Sequence, residues 1–277
     1  MERRSDLTAK RFFFTIDVDW TPGSEGGVQG LLDLCRELDL KATLFIAGRF
    51  VYEYPDVIRE AVRQGHELGT HGWEHDQNPG EDFRSASYHH QKEWLSLATR
   101  AFEDVLNQHP ISFRAPNLWV SETMLRVLED MEYRIDSSVP AKRFDMGFGR
   151  MNQLRYLSAP WEAYYPSYDH IAERGKCRVL EVPPSAFLIP INMTSLRVLG
   201  YRMVSWAVHQ IWRRSNILVF YCHPSEFVPS ELKQLAPDEP ARHREGTGPE
   251  NFVVLKEFLN FAMSLGYEPR TICEAHL

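Results

Sequence analysis

Residues 65–75 read GHELGTHGWEH, and the way that run folds decides the architecture of the chain. His71 and His75 stand four apart, with Glu74 beside the second. On a continuous helix the two rings would share one face. Yet Gly65, Gly69 and Gly72 surround the histidines and Pro79-Gly80 follows, and each internal glycine costs a helix about 1 kcal/mol relative to alanine. The run is therefore expected to form a short strand, HELGT, opening into a loop or at most one helical turn that carries both imidazoles. The long helix that an inverted zinc-protease H-x-x-E-H motif needs is not supported. Glu74 then becomes a solvated or supporting group and not a general base.

Working outward, similar short strands recur between helical patterns. FFFTI (12–16) runs into the acidic DVDW, and ATLFIAG (42–48) is a second strand closed by glycine. ISFRA (111–115), YRID (133–136), CRVLEV (177–182) and ILVFYC (217–222) follow, with a last strand at PRTIC (269–273). Apolar residues at helical spacing fill 28–38, 55–64, 82–108, 193–213 and 250–264. Pro55 sits in the first turn of its helix, and Ser121 is placed to cap one running through Met131. Six or seven strand–helix units in alternation predict a parallel sheet with helices outside. A closed barrel fits the length better than an open sheet.

We read residues 1–277 as a single domain with its motif-bearing core at 11–224. The aromatic- and arginine-rich insertion 139–177 and the polar loop 228–249 interrupt the rhythm, and loops of that length are often functional lids. A helix and strand over 250–273 complete the chain.

Composition narrows the function classes. With 43% hydrophobic and 12% aromatic residues the chain can bury a substantial core. Its 31 basic and 38 acidic residues give a net charge of −7 with no basic run, which argues against nucleic acid as a partner. No stretch resembles a secretory signal or approaches the roughly 18 apolar residues of a membrane span. Cys35, Cys177, Cys222 and Cys273 form no CxxC pair, as expected of reduced thiols in a cytoplasmic protein.

Polar residues gather where the strands end. Asp17 and Asp19 close the first, His71 and His75 follow the third, Arg114 ends the fourth, Asp136 the fifth and His223 the seventh. In a parallel barrel those positions share the rim on which active sites are built. Neutral imidazoles with a carboxylate suit zinc or a related divalent ion. Each residue alone also has a plain structural reading: a strand-end acid, a buried ion pair, a loop cap.

The ordered blocks FTIDVDW, HGWEH, FRAPN, YRIDSSV and FYCHPSEF, with KATLFIAG and GHELGTH around them, resemble the polysaccharide deacetylase family, the NodB-type carbohydrate esterases. The resemblance covers about residues 11–224. It implies a distorted, incomplete (β/α)7-type barrel and a metal-dependent hydrolase that removes an N-acyl group, with acetyl the first expectation, from an amino sugar. It makes Asp17 the general base, Asp19, His71 and His75 the metal ligands, Arg114 the residue that orients Asp17, and His223 the general acid. The metal is expected to be zinc, with iron, cobalt, nickel or manganese as alternatives.

Three positions depart from the family's usual blocks. D-V-D replaces adjacent acids, as in one branch of the family. Gly72 stands where serine or threonine is usual, and Asn117 where an aromatic is common. Alternate residues of a strand face one side, so Asp17 and Asp19 can both face the site.

Candidate substrate contacts are Trp161, Tyr164, Asp136 and Asn117. Tyr165 and Tyr168 are further rings that could stack on sugar faces, and Arg143, Arg150 and Arg155 could meet a phosphate of a carrier-linked sugar used in surface polysaccharide biosynthesis. The Asp136-Ser137-Ser138 run is also expected to shape the rim by hydrogen bonds. Rival readings are a deformylase or allantoinase-like C–N hydrolase on the same barrel, a non-catalytic sugar-binding protein, and an Fe(II) oxygenase.

Overall fold

The computed structural model describes residues 9–21, 23–74, 82–144, 155–229 and 245–276. Strand β1, Arg11–Val18, is its axis. It pairs in parallel with β2, Thr43–Ile46, on one side and with β9, Ile217–Cys222, on the other. From β2 the parallel sheet continues through β3 (Glu67–Thr70), β4 (Ser112–Phe113), β5 (Ile135–Asp136) and β6 (Leu180–Glu181). A short β10, Glu268–Arg270, lies beside the first residues of β1. The order is therefore β9-β1-β2-β3-β4-β5-β6. Among the described residues β6 and β9 share no ladder. The barrel is incomplete, as the resemblance implied, and not closed as the length suggested. A small hairpin, β7 (Ala186–Phe187) and β8 (Ile189–Pro190), lies near the gap, where Ser185 N–H donates to the Val219 carbonyl.

The period-two pattern of β1 explains how one strand serves both core and site. Phe12, Phe14, Ile16 and Val18 point outward into the main apolar cluster with Val28, Leu31, Leu44, Phe220 and Phe258. Phe13 points inward, where it meets Phe45, Ile135, Val182, Ile217 and Val219 at the floor of the barrel. Thr15 and Asp17 continue that inward row. The interior is thus apolar where the strands begin and polar where they end.

The outer layer comprises α1 (Ser24–Glu37), α2 (Gly48–Glu53), α3 (Pro55–Arg63), α4 (Tyr88–Leu106), α5 (Glu122–Asp130), α6 (Met193–Leu199), α7 (Tyr201–Trp212) and α8 (Asn251–Ser264). Two boundaries differ from the pattern in the sequence. The helical run 193–213 is broken at Gly200, whose φ of 81° a side chain would oppose. The helix expected over 82–108 begins at Tyr88, capped by the Ser87 hydroxyl. Ser121 stands at the start of α5, but its hydroxyl donates to the Phe83 carbonyl instead of capping. Among the described residues no helix is long and apolar enough to cross a membrane.

Candidate active site

The strand ends converge as the alternation requires. Asp17 is the last inward residue of β1, and Arg114 follows β4. Both are buried, and Arg114 is fully so. Arg114 Nη1 donates to Asp17 Oδ1 and to Thr15 Oγ1, both at 2.7 Å. Its Nε donates to the Ser137 carbonyl at 2.9 Å and Nη2 to the Ser137 hydroxyl at 2.7 Å. The guanidinium carbon lies 4.4 Å from the centre of the Phe45 ring and 5.6 Å from that of Tyr221. A buried cation survives only when its donors are met, and here Ser137 and Thr15 do that without adding charge. The Asp136-Ser137-Ser138 run therefore shapes the rim by hydrogen bonds, as expected.

His71 is the second anchor. Its Nδ1 lies 2.7 Å from the backbone carbonyl of Arg114. A carbonyl only accepts, so this ring nitrogen carries the hydrogen and Nε2 presents its lone pair. Nε2 faces Asp19 Oδ1 at 3.4 Å. That separation is long for a hydrogen bond. It matches two ligands each about 2.0–2.2 Å from a shared tetrahedral ion, for which the edge is about 3.3–3.6 Å. A ligating histidine that gives its other N–H to a backbone carbonyl is also the usual supporting arrangement. The donors present fit a divalent ion. His75, the third expected ligand, lies outside the described residues, as does Arg150.

Gly72 has a φ of 78°, which explains glycine where a side chain was expected. The turn it makes lets Gly72 and Trp73 accept the N–H groups of Gly48 and Arg49 at the start of α2. Glu74 forms an ion pair with Arg49, so it is not poised as a base.

His223 follows β9, and its Nε2 is 4.0 Å from Asp19 Oδ2. Three residues on, the buried Glu226 accepts the His223 backbone N–H at 2.9 Å and places Oε2 3.5 Å from His223 Nδ1. Glu226 Oε1 in turn accepts from the Thr194 hydroxyl at 2.9 Å and from Arg197 Nε at 3.2 Å. Burial works to lower the His223 pKa, but the Glu226 contact and the charges of Asp19, Glu226 and Asp17 outweigh it and raise the pKa to about 9. Burial likewise works to raise Glu226, which His223 and Arg197 hold below the usual carboxylate range. Glu226 was not among the expected site residues. Its signal was present: a capping-box spacing, His223 to Glu226, on the turn Pro224–Phe227. Gly27 lets α1 approach that turn, because a Cβ there would meet the Pro224 carbonyl oxygen at 2.2 Å.

The structure does not gather the candidate substrate contacts at one surface. Tyr164 is a correction: its ring is buried and its hydroxyl donates to the Ile171 carbonyl at 2.8 Å, so it packs beneath the 155–177 segment. Asp136 is a second correction, being fully buried beside Glu181 with no face toward a substrate. Trp161 is half-buried and donates to the Ala186 carbonyl at 3.1 Å. Asn117 is half-buried in a tight turn with φ 56°. Tyr168 donates to Glu129 at 2.5 Å, Arg155 pairs with Glu122, and Tyr165 is exposed.

An Arg114–Asp17 pair, an Asp19–His71 pair and a His223–Glu226 pair thus stand on one parallel rim. The sequence model of the family described as polysaccharide deacetylase matches residues 4–135. A peptidoglycan-N-acetylglucosamine deacetylase of Listeria monocytogenes is 33% identical over 70 residues, covering 25% of this chain and 14% of that protein. The chain spans less than half the length of the curated relatives it matches. Among solved structures, a putative polysaccharide deacetylase from Mycobacterium smegmatis superposes with a TM-score of 0.56 at 16% identity, covering 95% of this chain and 94% of that one. A CE4 family pseudoenzyme from Bacillus anthracis gives 0.56 at 14% identity, over 97% of this chain and 66% of that one. These last two likenesses bear on fold alone. Over residues 4–135 the chain is similar in sequence to the polysaccharide deacetylase family.

Proposed function

We propose that the protein is a metal-dependent amide hydrolase that removes an N-acyl group, acetyl in the first instance, from an amino sugar or a carrier-linked amino-sugar precursor. The observation that carries the reading is Asp17 and Asp19 standing on one rim in two different environments. Asp17 is locked to Arg114 at 2.7 Å, while Asp19 faces His71 at 3.4 Å and His223 at 4.0 Å. One acid is thus held in place by a guanidinium where it can accept a proton, and the other is placed to bind a cation.

Asp19 and His71, with His75 as the expected third, would hold the ion. A divalent metal there supplies positive charge that acidifies water and polarises an acyl carbonyl. Asp17, oriented by Arg114, removes the proton of the attacking water. His223, held protonated at neutral pH by Glu226 and Asp19, returns a proton to the departing amine, which leaves poorly as an anion. Zinc is the proposed ion, with iron, cobalt, nickel and manganese as alternatives to be read by metal analysis.

The experiment is acetate release from N-acetylglucosamine oligomers and from a nucleotide-linked N-acetyl sugar, with metal content measured on the same preparations. Loss of release in Asp17→Asn and His223→Ala is expected. Full activity in both variants would sink the mechanism. Release of formate or ureide products, with no acetate, would favour the deformylase or allantoinase-like alternative.

A further inference from the structure

The carboxylates of this chain are unevenly distributed. Of 38 acidic residues none lies between Glu181 and Glu226, while Arg197, Arg202, Arg213 and Arg214 fall in that interval. A chain of net charge −7 therefore carries one long segment that is purely cationic. Arg197 is committed to Glu226. The other three are exposed.

The same segment holds the main group of exposed apolar side chains. On α6 and α7, buried Val204, Ala207, Val208 and Ile211 face the core. Arg202, Met203, Trp206 and Arg213 recur along the opposite face of α7 at helical spacing, and exposed Leu199 ends α6 just before it. Trp206 meets Phe187 of the β7–β8 hairpin edge-on at 5.4 Å, and Arg214 lies 5.1 Å from the same ring. The turn residue Leu188 accepts the Phe144 N–H at 2.8 Å and bridges to Arg143. Phe144, Leu188, Val198, Leu199, Met203 and Trp206 are between 41 and 60% exposed. Six such residues on neighbouring elements, interleaved with exposed arginines, are more than the scattered apolar exposure of an ordinary surface.

We infer that this face of α6, α7 and the β7–β8 hairpin docks the protein on an anionic phospholipid surface. Charge selects that occupant. The segment is basic where the molecule as a whole is acidic, so a negatively charged bilayer attracts this face and repels the rest, orienting the approach over about a Debye length. Trp206 is central, and an indole with an apolar body and one N–H suits the headgroup boundary. The face also reaches the site rim. Arg143 Nη1 donates to the Tyr221 hydroxyl at 3.3 Å, and the Tyr221 ring lies 6.0 Å from that of His223. Docking would therefore bring the rim close to the bilayer surface.

The test is co-sedimentation of the full chain with vesicles of phosphatidylglycerol and phosphatidylcholine in about equal amounts, and with phosphatidylcholine alone, at low and high salt. Binding to the anionic vesicles that weakens in salt is expected, with a loss of about fivefold for each of Arg202→Gln and Arg213→Gln and a larger loss for Met203→Ser with Trp206→Ser. All four positions are exposed, so unchanged thermal unfolding should accompany the loss. Equal sedimentation with both vesicle types, none with either, or binding untouched by the substitutions would overturn the proposal. A concentration-dependent dimer dispersed by Trp206→Ser would also overturn it and give the face to a second copy of the chain. Vesicle binding is read without substrate, so its outcome is independent of the deacetylase reading.

Discussion

Arg114 governs His71 through its backbone and Asp17 through its side chain. The Arg114 carbonyl takes the His71 Nδ1 hydrogen at 2.7 Å, and its guanidinium takes the Asp17 carboxylate at the same distance. The tautomer of the expected metal ligand and the position of the expected base are thus set from one residue after β4. Small displacements of that residue would disturb both groups together.

Removing the guanidinium leaves Asp17 buried without its cation. Arg114→Met should cost about 3–5 kcal/mol, as for other buried pairs broken from one side, and lower the melting temperature by on the order of 10 °C. Asp17→Asn in the same background should recover part of that loss, because no buried charge is then stranded. Calorimetry of the two single variants and the double variant checks this. Strictly additive losses would show that the pair does not interact as described.

The two acids of D-V-D should separate cleanly. Asp19→Asn weakens the cation pair with His71, so bound divalent metal should fall by about tenfold or more while the fold holds. Asp17→Asn should leave metal content near that of the parent and abolish acyl release. Metal analysis of dialysed protein, with acetate release measured in parallel, decides. Metal loss in the Asp17 variant instead would reverse the two roles.

Much of this arrangement was legible because it follows a period. The inward row Phe13, Thr15, Asp17 is visible in the letters FFFTIDVD, and so is the strand-to-loop change forced by glycine around His71. What escaped was set by packing across the sheet. Tyr164 and Trp161 have the composition of a sugar-facing surface, but burial is decided by how the chain folds back on them, here at Ile171, seven residues on, and at Ala186, 25 residues on. Glu226 escaped for a different reason: its partners Thr194 and Arg197 lie about 30 residues upstream. The closed barrel failed at β6, where two residues of ladder end in the prolines of VPPS and, among the described residues, no strand joins β6 to β9.

Glu226 should govern the basic side of the pH profile. A general acid works only while protonated, so activity falls as pH rises through the pKa of His223, held up at about 9. Glu226→Gln removes the adjoining negative charge and should move the basic limb toward neutrality by about one unit or more, with the acidic limb in place. A cation seated on Asp19 also weakens the pull of that carboxylate, so the limb should lie lower in metal-loaded enzyme than His223 titrates in the metal-free protein. The stability term has the same sense. A histidine raised in the folded state contributes fully below its unfolded value of about 6.5 and loses that contribution as pH climbs through the folded value. A basic limb unmoved in Glu226→Gln would show that Glu226 only closes its turn.

Asp136 and Glu181 make the last prediction. They are register partners on β5 and β6, and both are fully buried. Ser138 donates to Asp136 Oδ1, and Val139 N–H donates to Glu181 Oε1 at 2.9 Å. Asp136 Oδ2 and Glu181 Oε2 meet no donor, as befits two acids sharing one proton. Burial raises both pKa values, and the charge of Asp136 raises Glu181 further. An acid raised in the folded state binds more protons folded than unfolded, so the pair should erode stability as pH rises from about 4 upward. Asp136→Asn replaces the shared proton with an amide N–H of the same shape. Its denaturant midpoint should stay near the parent's in mild acid and exceed it in mild alkali, where the parent must ionise a buried pair. Asp136→Ala removes the Ser138 acceptor and should cost about 1–3 kcal/mol at every pH. If Asp136→Asn is weakened equally across the range, Asp136 acts as an ordinary carboxylate and the proton is not shared.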